Sequence, residues 1–124
     1  MRLVKKLQNL GYALTGLRIA FREELSFKIQ LVFAVVTPAL GWYLGISRME
    51  FLLVIFMIGL VLTAELFNTA LEQLCDKFKS EHDPHIGRIK DLAAGAVLVA
   101  SFTALIVGSI IFLPYVLALT LWNS

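Results

Sequence analysis

Cysteine occurs once, as Cys75, proline three times, and charged residues make up only 16% of the 124 positions. One thiol closes no disulfide within the chain and builds no thiolate metal cluster. Cys75 therefore reads as a small buried hydrophobe near a helix end. An average soluble domain is about 25% charged and about 45–50% apolar; here the apolar share is 59%. In water such a chain would leave a large apolar surface uncovered, and a bilayer removes that problem. Also missing are the glycine-rich phosphate loops of Walker type and of protein kinases, internal repeats and low-complexity tracts. No small-residue cleavage motif convincingly follows the first apolar run, so no cleaved signal peptide is expected. The net charge of +2 says little about partners, and no nucleic-acid partner is expected.

What the chain does have is three long apolar runs: 27–46, 51–74 and 92–122. Crossing ~30 Å of hydrocarbon takes roughly 20 helical residues. The third run exceeds that, so it either tilts or extends beyond the bilayer near Pro114. Strands are excluded, because three of them cannot close a barrel and open ones leave backbone groups unpaired in lipid. Basic residues set the orientation. Arg2, Lys5, Lys6, Arg18, Arg22 and Lys28 lie before or at the first run, and Lys77, Lys79, Arg88 and Lys90 between the second and third. Only Arg48 lies in the first connection. The N-terminus and residues 75–91 are therefore expected in the cytoplasm, with 46–50 and the C-terminus outside.

Residues 1–24 differ from these runs. Leu3, Leu7, Leu10, Leu14, Leu17 and Phe21 recur at alternating spacings of four and three, one stripe of an α-helix. Arg2, Lys5, Lys6, Gln8, Asn9, Thr15 and Arg22 lie elsewhere around it. The pattern predicts an amphipathic helix along the cytoplasmic leaflet, with its basic residues on anionic headgroups. The expected fold class is thus an all-α integral membrane protein, one domain over 1–124, with a surface helix and three transmembrane helices.

The second run ends in residues foreign to lipid. At about 100° per residue, Glu65, Asn68, Glu72 and Asp76 fall within an arc of roughly 80°. They form one polar stripe on the cytoplasmic half of an apolar helix. A carboxylate at bilayer depth costs at least ~2.5–3.5 kcal/mol. Snorkelling or packing accounts for Asp76, at the edge of the span, but not for Glu65, about three turns deeper. A carboxylate there suits a proton acceptor. Glu24, where the surface helix meets the first run, reaches the same interface as Glu72. Two such carboxylates are candidates to hold Mg²⁺ bridging nucleotide phosphates; Glu23 points about 100° away and reads as solvated. In the connection DKFKSEHDPHIGRIKD, Lys90 and Asp91 open the third helix, where Lys90 is placed to neutralise phosphate charge. His82 and His85 lack a set of partner ligands for a metal. Ala93, Ala94, Gly95 and Ala96 read as a packing seam, level with the stripe and bringing Lys90 near Glu72.

The run AELFNTALEQLCD resembles the signature of the prokaryotic diacylglycerol kinase family, which includes the undecaprenol kinases. HDPHIGRIKDLAAGAVLVA followed by GSIIFLP looks like the undecaprenol branch, and Gly16–Arg18 (GLR) and the glutamate before the first span match as well. The resemblance covers nearly the whole chain. It implies a homotrimeric bundle with sites at the cytoplasmic interface between subunits. Glu65 would be the proton acceptor for the lipid hydroxyl, with Asn68 helping to place it, and Glu24 and Glu72 would hold Mg²⁺ with ATP. Lys90 and Asp91 would contact the nucleotide, with Tyr12, Glu81 and Asp83 near positions that the family uses for it. Ser26 and Gln30, where the undecaprenol branch usually has asparagine and histidine, fall at lipid contacts.

The leading expectation is therefore ATP- and Mg²⁺-dependent phosphorylation of a membrane lipid alcohol, undecaprenol first and diacylglycerol second. An ion-conducting subunit would need polar residues facing the stripe, and Thr37, Ser101, Thr103 and Ser109 on the other spans do not continue it across the bilayer. A non-catalytic assembly subunit would account for the surface helix but not for Glu65.

Overall fold

The structure, a computed structural model, describes residues 1–78 and 83–124. It is all-helical among these residues, with four helices: α1 (Arg2–Glu23), α2 (Leu25–Leu44), α3 (Arg48–Asp76) and α4 (Pro84–Trp122). Three of them, α2, α3 and α4, are long and apolar enough to cross a membrane. α3 is the centre of the arrangement. It packs most extensively on α4, next on α2, and touches the end of α1.

Each boundary has a local cause. Between α1 and α2 only Glu24 leaves the helical conformation, at φ −109° and ψ 111°. Its N–H donates to the Ala20 carbonyl at 3.0 Å and its own carbonyl accepts from the Lys28 N–H at 3.2 Å. One residue thus ends the amphipathic helix and starts the apolar one. α2 stops at Gly45, whose φ of +71° is a left-handed conformation open to glycine. Ser47 then starts α3 with a reciprocal cap: its Oγ accepts from the Glu50 N–H at 3.2 Å, and its own N–H donates to Glu50 Oε1 at 2.9 Å. Glu50 Oε1 also accepts from the Tyr115 hydroxyl at 2.6 Å, which ties α4 to the start of α3.

α4 begins earlier than the apolar run suggested. Residues 84–91, read above as part of the connection, are helical. Asp83 Oδ1 accepts from the His85 N–H at 2.9 Å, and Pro84 takes the first helical position, where its missing N–H costs nothing. At 1.5 Å per residue α4 is about 58 Å long, nearly twice the ~30 Å hydrocarbon thickness. The helix continues through Pro114 to Trp122.

The core is small. Ile46, Val54 and Ile111 are buried together, with Phe51, Ile58 and Phe112 packed around them. Among the described residues no large side chain is fully enclosed, and the chain exposes 9750 Å². A compact soluble chain of this length would expose about 6,600 Å². On α1 the whole stripe from Leu3 to Phe21 is exposed, and Ala20 is the buried residue of that helix. Most apolar side chains therefore face outward, as lipid rather than water demands.

Candidate active site

The polar stripe of α3 lies where α1, α2 and α3 meet. Glu65 and Thr69, four residues apart on one face, are buried at 8% and 9% exposure. Asn68 is half-buried and donates from Nδ2 to Glu72 Oε1 at 3.3 Å. Its other end, Oδ1, is buried with no hydrogen-bond partner. That orphaned acceptor is a cost in a finished core and an opening for a donor such as a hydroxyl.

Glu24 is half-buried in the break between α1 and α2. Glu24 and Glu72 both lie close enough to Glu65 to act on it electrostatically. Carboxylates from two parts of the chain thus lie within electrostatic range of Glu65. The end of α1 is held there by a further contact, Gln73 Nε2 to Glu23 Oε2 at 3.4 Å. Glu23, expected to be solvated, is exposed but serves as this tie.

At the C-terminal end of α3 Lys90 Nζ donates to Asp76 Oδ1 at 2.9 Å. Lys90 was expected near Glu72, and Glu72 does lie within its electrostatic reach. The direct partner, however, is Asp76, which sequence reasoning set aside as an edge group. Fourteen residues separate the two, so only the return of α4 along α3 reveals the pair. Thr69 was named above only as part of the family signature, although its four-residue spacing from Glu65 marks it as sharing that face.

Other sequence-derived candidates are placed apart from this cluster. Tyr12 is 73% exposed and stands about 18 Å along α1 from Glu24, so within one chain it is not beside the carboxylates. Asp83 is exposed and occupied in capping α4. Asp91 is exposed and, with Arg88, borders an open groove of about 850 Å³ along α3 and α4. Ser26 is exposed at the start of α2. Gln30 is half-buried and lies at a second groove of about 640 Å³ between α2, α3 and α4, which Thr37, Val61 and Ser109 also line. Glu81 and His82 lie outside the described residues. His85, on the first turn of α4, is exposed, and Cys75 is buried beside Asp76.

The donor chemistry suits a hard cation. Glu24 and Glu72 supply carboxylate oxygens, and Mg²⁺ is commonly bound by one or two carboxylates with substrate phosphates and water completing its shell. No group of three potential protein ligands of the His, Cys, Asp or Glu type is assembled among the described residues.

Comparison with known proteins agrees with this chemistry. The family model described as "Prokaryotic diacylglycerol kinase" matches residues 11–112. The Haemophilus influenzae diacylglycerol kinase is 32% identical over 102 residues, covering 82% of this chain and 86% of that protein. The Bacillus subtilis undecaprenol kinase is 34% identical over 93 residues, covering 75% of this chain and 76% of its own. The Escherichia coli diacylglycerol kinase is 32% identical over 96 residues, covering 77% and 79%.

Proposed function

This chain belongs to the prokaryotic diacylglycerol kinase family and is a lipid kinase, and from that premise we propose that it transfers the γ-phosphoryl group of ATP to the hydroxyl of a membrane lipid alcohol at the site around Glu65. Neither an ion-conducting nor an assembly subunit is needed to account for the stripe. The burial of Glu65 on the α3 stripe, three residues from an Asn68 whose buried Oδ1 has no partner, carries the reading.

Phosphoryl transfer asks the protein to position an acceptor and to balance phosphate charge. A lipid alcohol keeps its tail in the bilayer and presents its hydroxyl at the interface, level with Glu65. Glu65 takes the hydroxyl proton as the lipid oxygen bonds to the γ-phosphorus and the bond to the ADP oxygen breaks. Asn68, whose Oδ1 lacks a partner, helps to place the lipid headgroup so that its hydroxyl proton is directed at Glu65. Glu24 and Glu72 would hold Mg²⁺ with the nucleotide, and the ion when bound would supply positive charge against the phosphates. Lys90, entering from the basic cytoplasmic side, adds a further positive charge. Tyr12, Asp83, Asp91 and Glu81 reach the nucleotide from other parts of the assembly. Ser26 and Gln30 line the approach of the lipid.

A homotrimer supplies the remaining walls of the site, and the excess of exposed apolar surface supports such an assembly. In the bacterial inner membrane the N-terminus and the α3–α4 connection face the cytoplasm, where ATP is found.

Two lipid alcohols suit this chemistry. Undecaprenol is favoured by the segment from His82 to Ala100 and by the Bacillus subtilis relative. Diacylglycerol is at least as well supported, since the Haemophilus influenzae and Escherichia coli relatives carry that name at a similar identity. Purified protein in mixed micelles with labelled ATP, Mg²⁺ and a panel of lipid alcohols tests both. Label in undecaprenyl phosphate or in phosphatidic acid identifies the substrate, and no label in any lipid sinks the kinase reading for this site.

A further inference from the structure

The Lys90–Asp76 pair joins the last residue of α3 to the second turn of α4, at 2.9 Å. Its side chains are 36% and 64% exposed. Ion pairs this open to water contribute little to stability, so anchoring the fold is a weak explanation for it. Its surroundings suggest a stronger one. Lys90 has a second carboxylate in reach, Glu72, one helical turn before Asp76 on the same face of α3. An unanchored lysine carries a long, flexible stem and would pair with whichever carboxylate is free.

We infer that Asp76 is a positioning residue for phosphoryl transfer: it holds the Lys90 ammonium at the cytoplasmic edge of the site and away from Glu72. The inference rests on the kinase reading given above. An ammonium has three N–H donors. One stays on Asp76 Oδ1 while the other two are offered to the phosphates, so the cation is in place before the nucleotide arrives. Glu72 in turn keeps its oxygens for Asn68 Nδ2, to which it is already bonded, and for the metal.

The test uses the full chain in mixed micelles, comparing the unaltered protein with Asp76→Asn, Asp76→Glu, Lys90→Met and Lys90→Met/Asp76→Asn. Asp76→Asn should raise the KM for MgATP about three- to tenfold, the scale of re-ordering one long side chain on binding. The lipid KM and the detergent melting temperature should stay the same. More Mg²⁺ should be needed for half-maximal rate, because Lys90 then competes for Glu72. Asp76→Glu should recover most of the loss. In the Lys90→Met background Asp76→Asn should change nothing further, since a residue acting through Lys90 has no effect without it. Calorimetric affinity for a non-hydrolysable ATP analogue should fall by the same factor as the KM rises. An unchanged KM in Asp76→Asn, or the full Asp76→Asn effect persisting without Lys90, overturns the inference while leaving the kinase reading intact. Absence of transfer by the unaltered chain overturns the kinase reading, and the analogue-binding comparison then still decides whether Asp76 and Lys90 act together.

Discussion

Replacing Glu65 by glutamine separates the chemistry of this residue from its place in the packing. Glutamine fills nearly the same volume, so a position only 8% exposed is left without a cavity, and the packing loss that accompanies large-to-small changes does not arise. What leaves is one negative charge, which Glu24 and Glu72 both oppose. Relief of that repulsion moves stability upward or leaves it level. Activity moves the other way. A positioned general base contributes about 10²–10⁴ in rate, or roughly 2.7–5.4 kcal/mol of barrier at 1.36 kcal/mol per tenfold. Initial rates at saturating ATP and lipid, measured beside thermal unfolding in the same detergent, should therefore show kcat falling by at least about a hundredfold at an unchanged or higher melting temperature. The KM for ATP should hold, because the base acts on the lipid hydroxyl. A normal kcat would refute the assignment of Glu65 as base. A collapsed melting temperature would refute the electrostatic argument, since it would mean that the charge is partnered and supports the fold.

Two further outcomes follow from particular contacts. Glu24→Gln and Glu72→Gln should each raise the Mg²⁺ concentration for half-maximal rate by at least the roughly 10–100-fold that losing even a supporting partner of a metal ligand costs; Mg²⁺ titrations of the two variants read this, and an unchanged requirement in both would remove the metal from these residues. Near the C-terminal end of α2, a Cβ on Gly41 would meet Ile46 Cδ1 at 2.6 Å and Cγ1 at 3.2 Å. Gly41→Ala should therefore lower stability, with overpacking costing about 1–3 kcal/mol against a helix-propensity gain of about 1 kcal/mol. In an Ile46→Val background, which removes Cδ1, the same alanine should raise it. Denaturant titrations of the four proteins decide, and a stabilising alanine in both backgrounds would contradict the contact.

Several parts of the site were legible before any tertiary contact. Spacings of three and four place Glu65, Asn68 and Glu72 on one helix face whatever that helix packs against. Asp83 and Pro84 form a helix start, and the early beginning of α4 was readable there. It was obscured because apolar length defined the third run, and a helix that leaves the bilayer no longer needs apolar residues. The role of Asp76 was not legible, because its partner is fourteen residues away on another helix. Nor was the tie between Glu23 and Gln73, fifty residues apart, which exists only once α1 ends against α3.

By itself the sequence determined that the chain crosses a membrane three times as helices and carries a polar stripe in the C-terminal part of the second. Lipid leaves the backbone no alternative, and helical periodicity follows from residue order alone. Only the tertiary structure decided which groups complete that stripe. The single-residue break at Glu24 leaves one carboxylate within electrostatic range of Glu65, and the return of α4 sets Lys90 on Asp76. Both depend on how helices far apart in sequence come together, and no local pattern of residues encodes that.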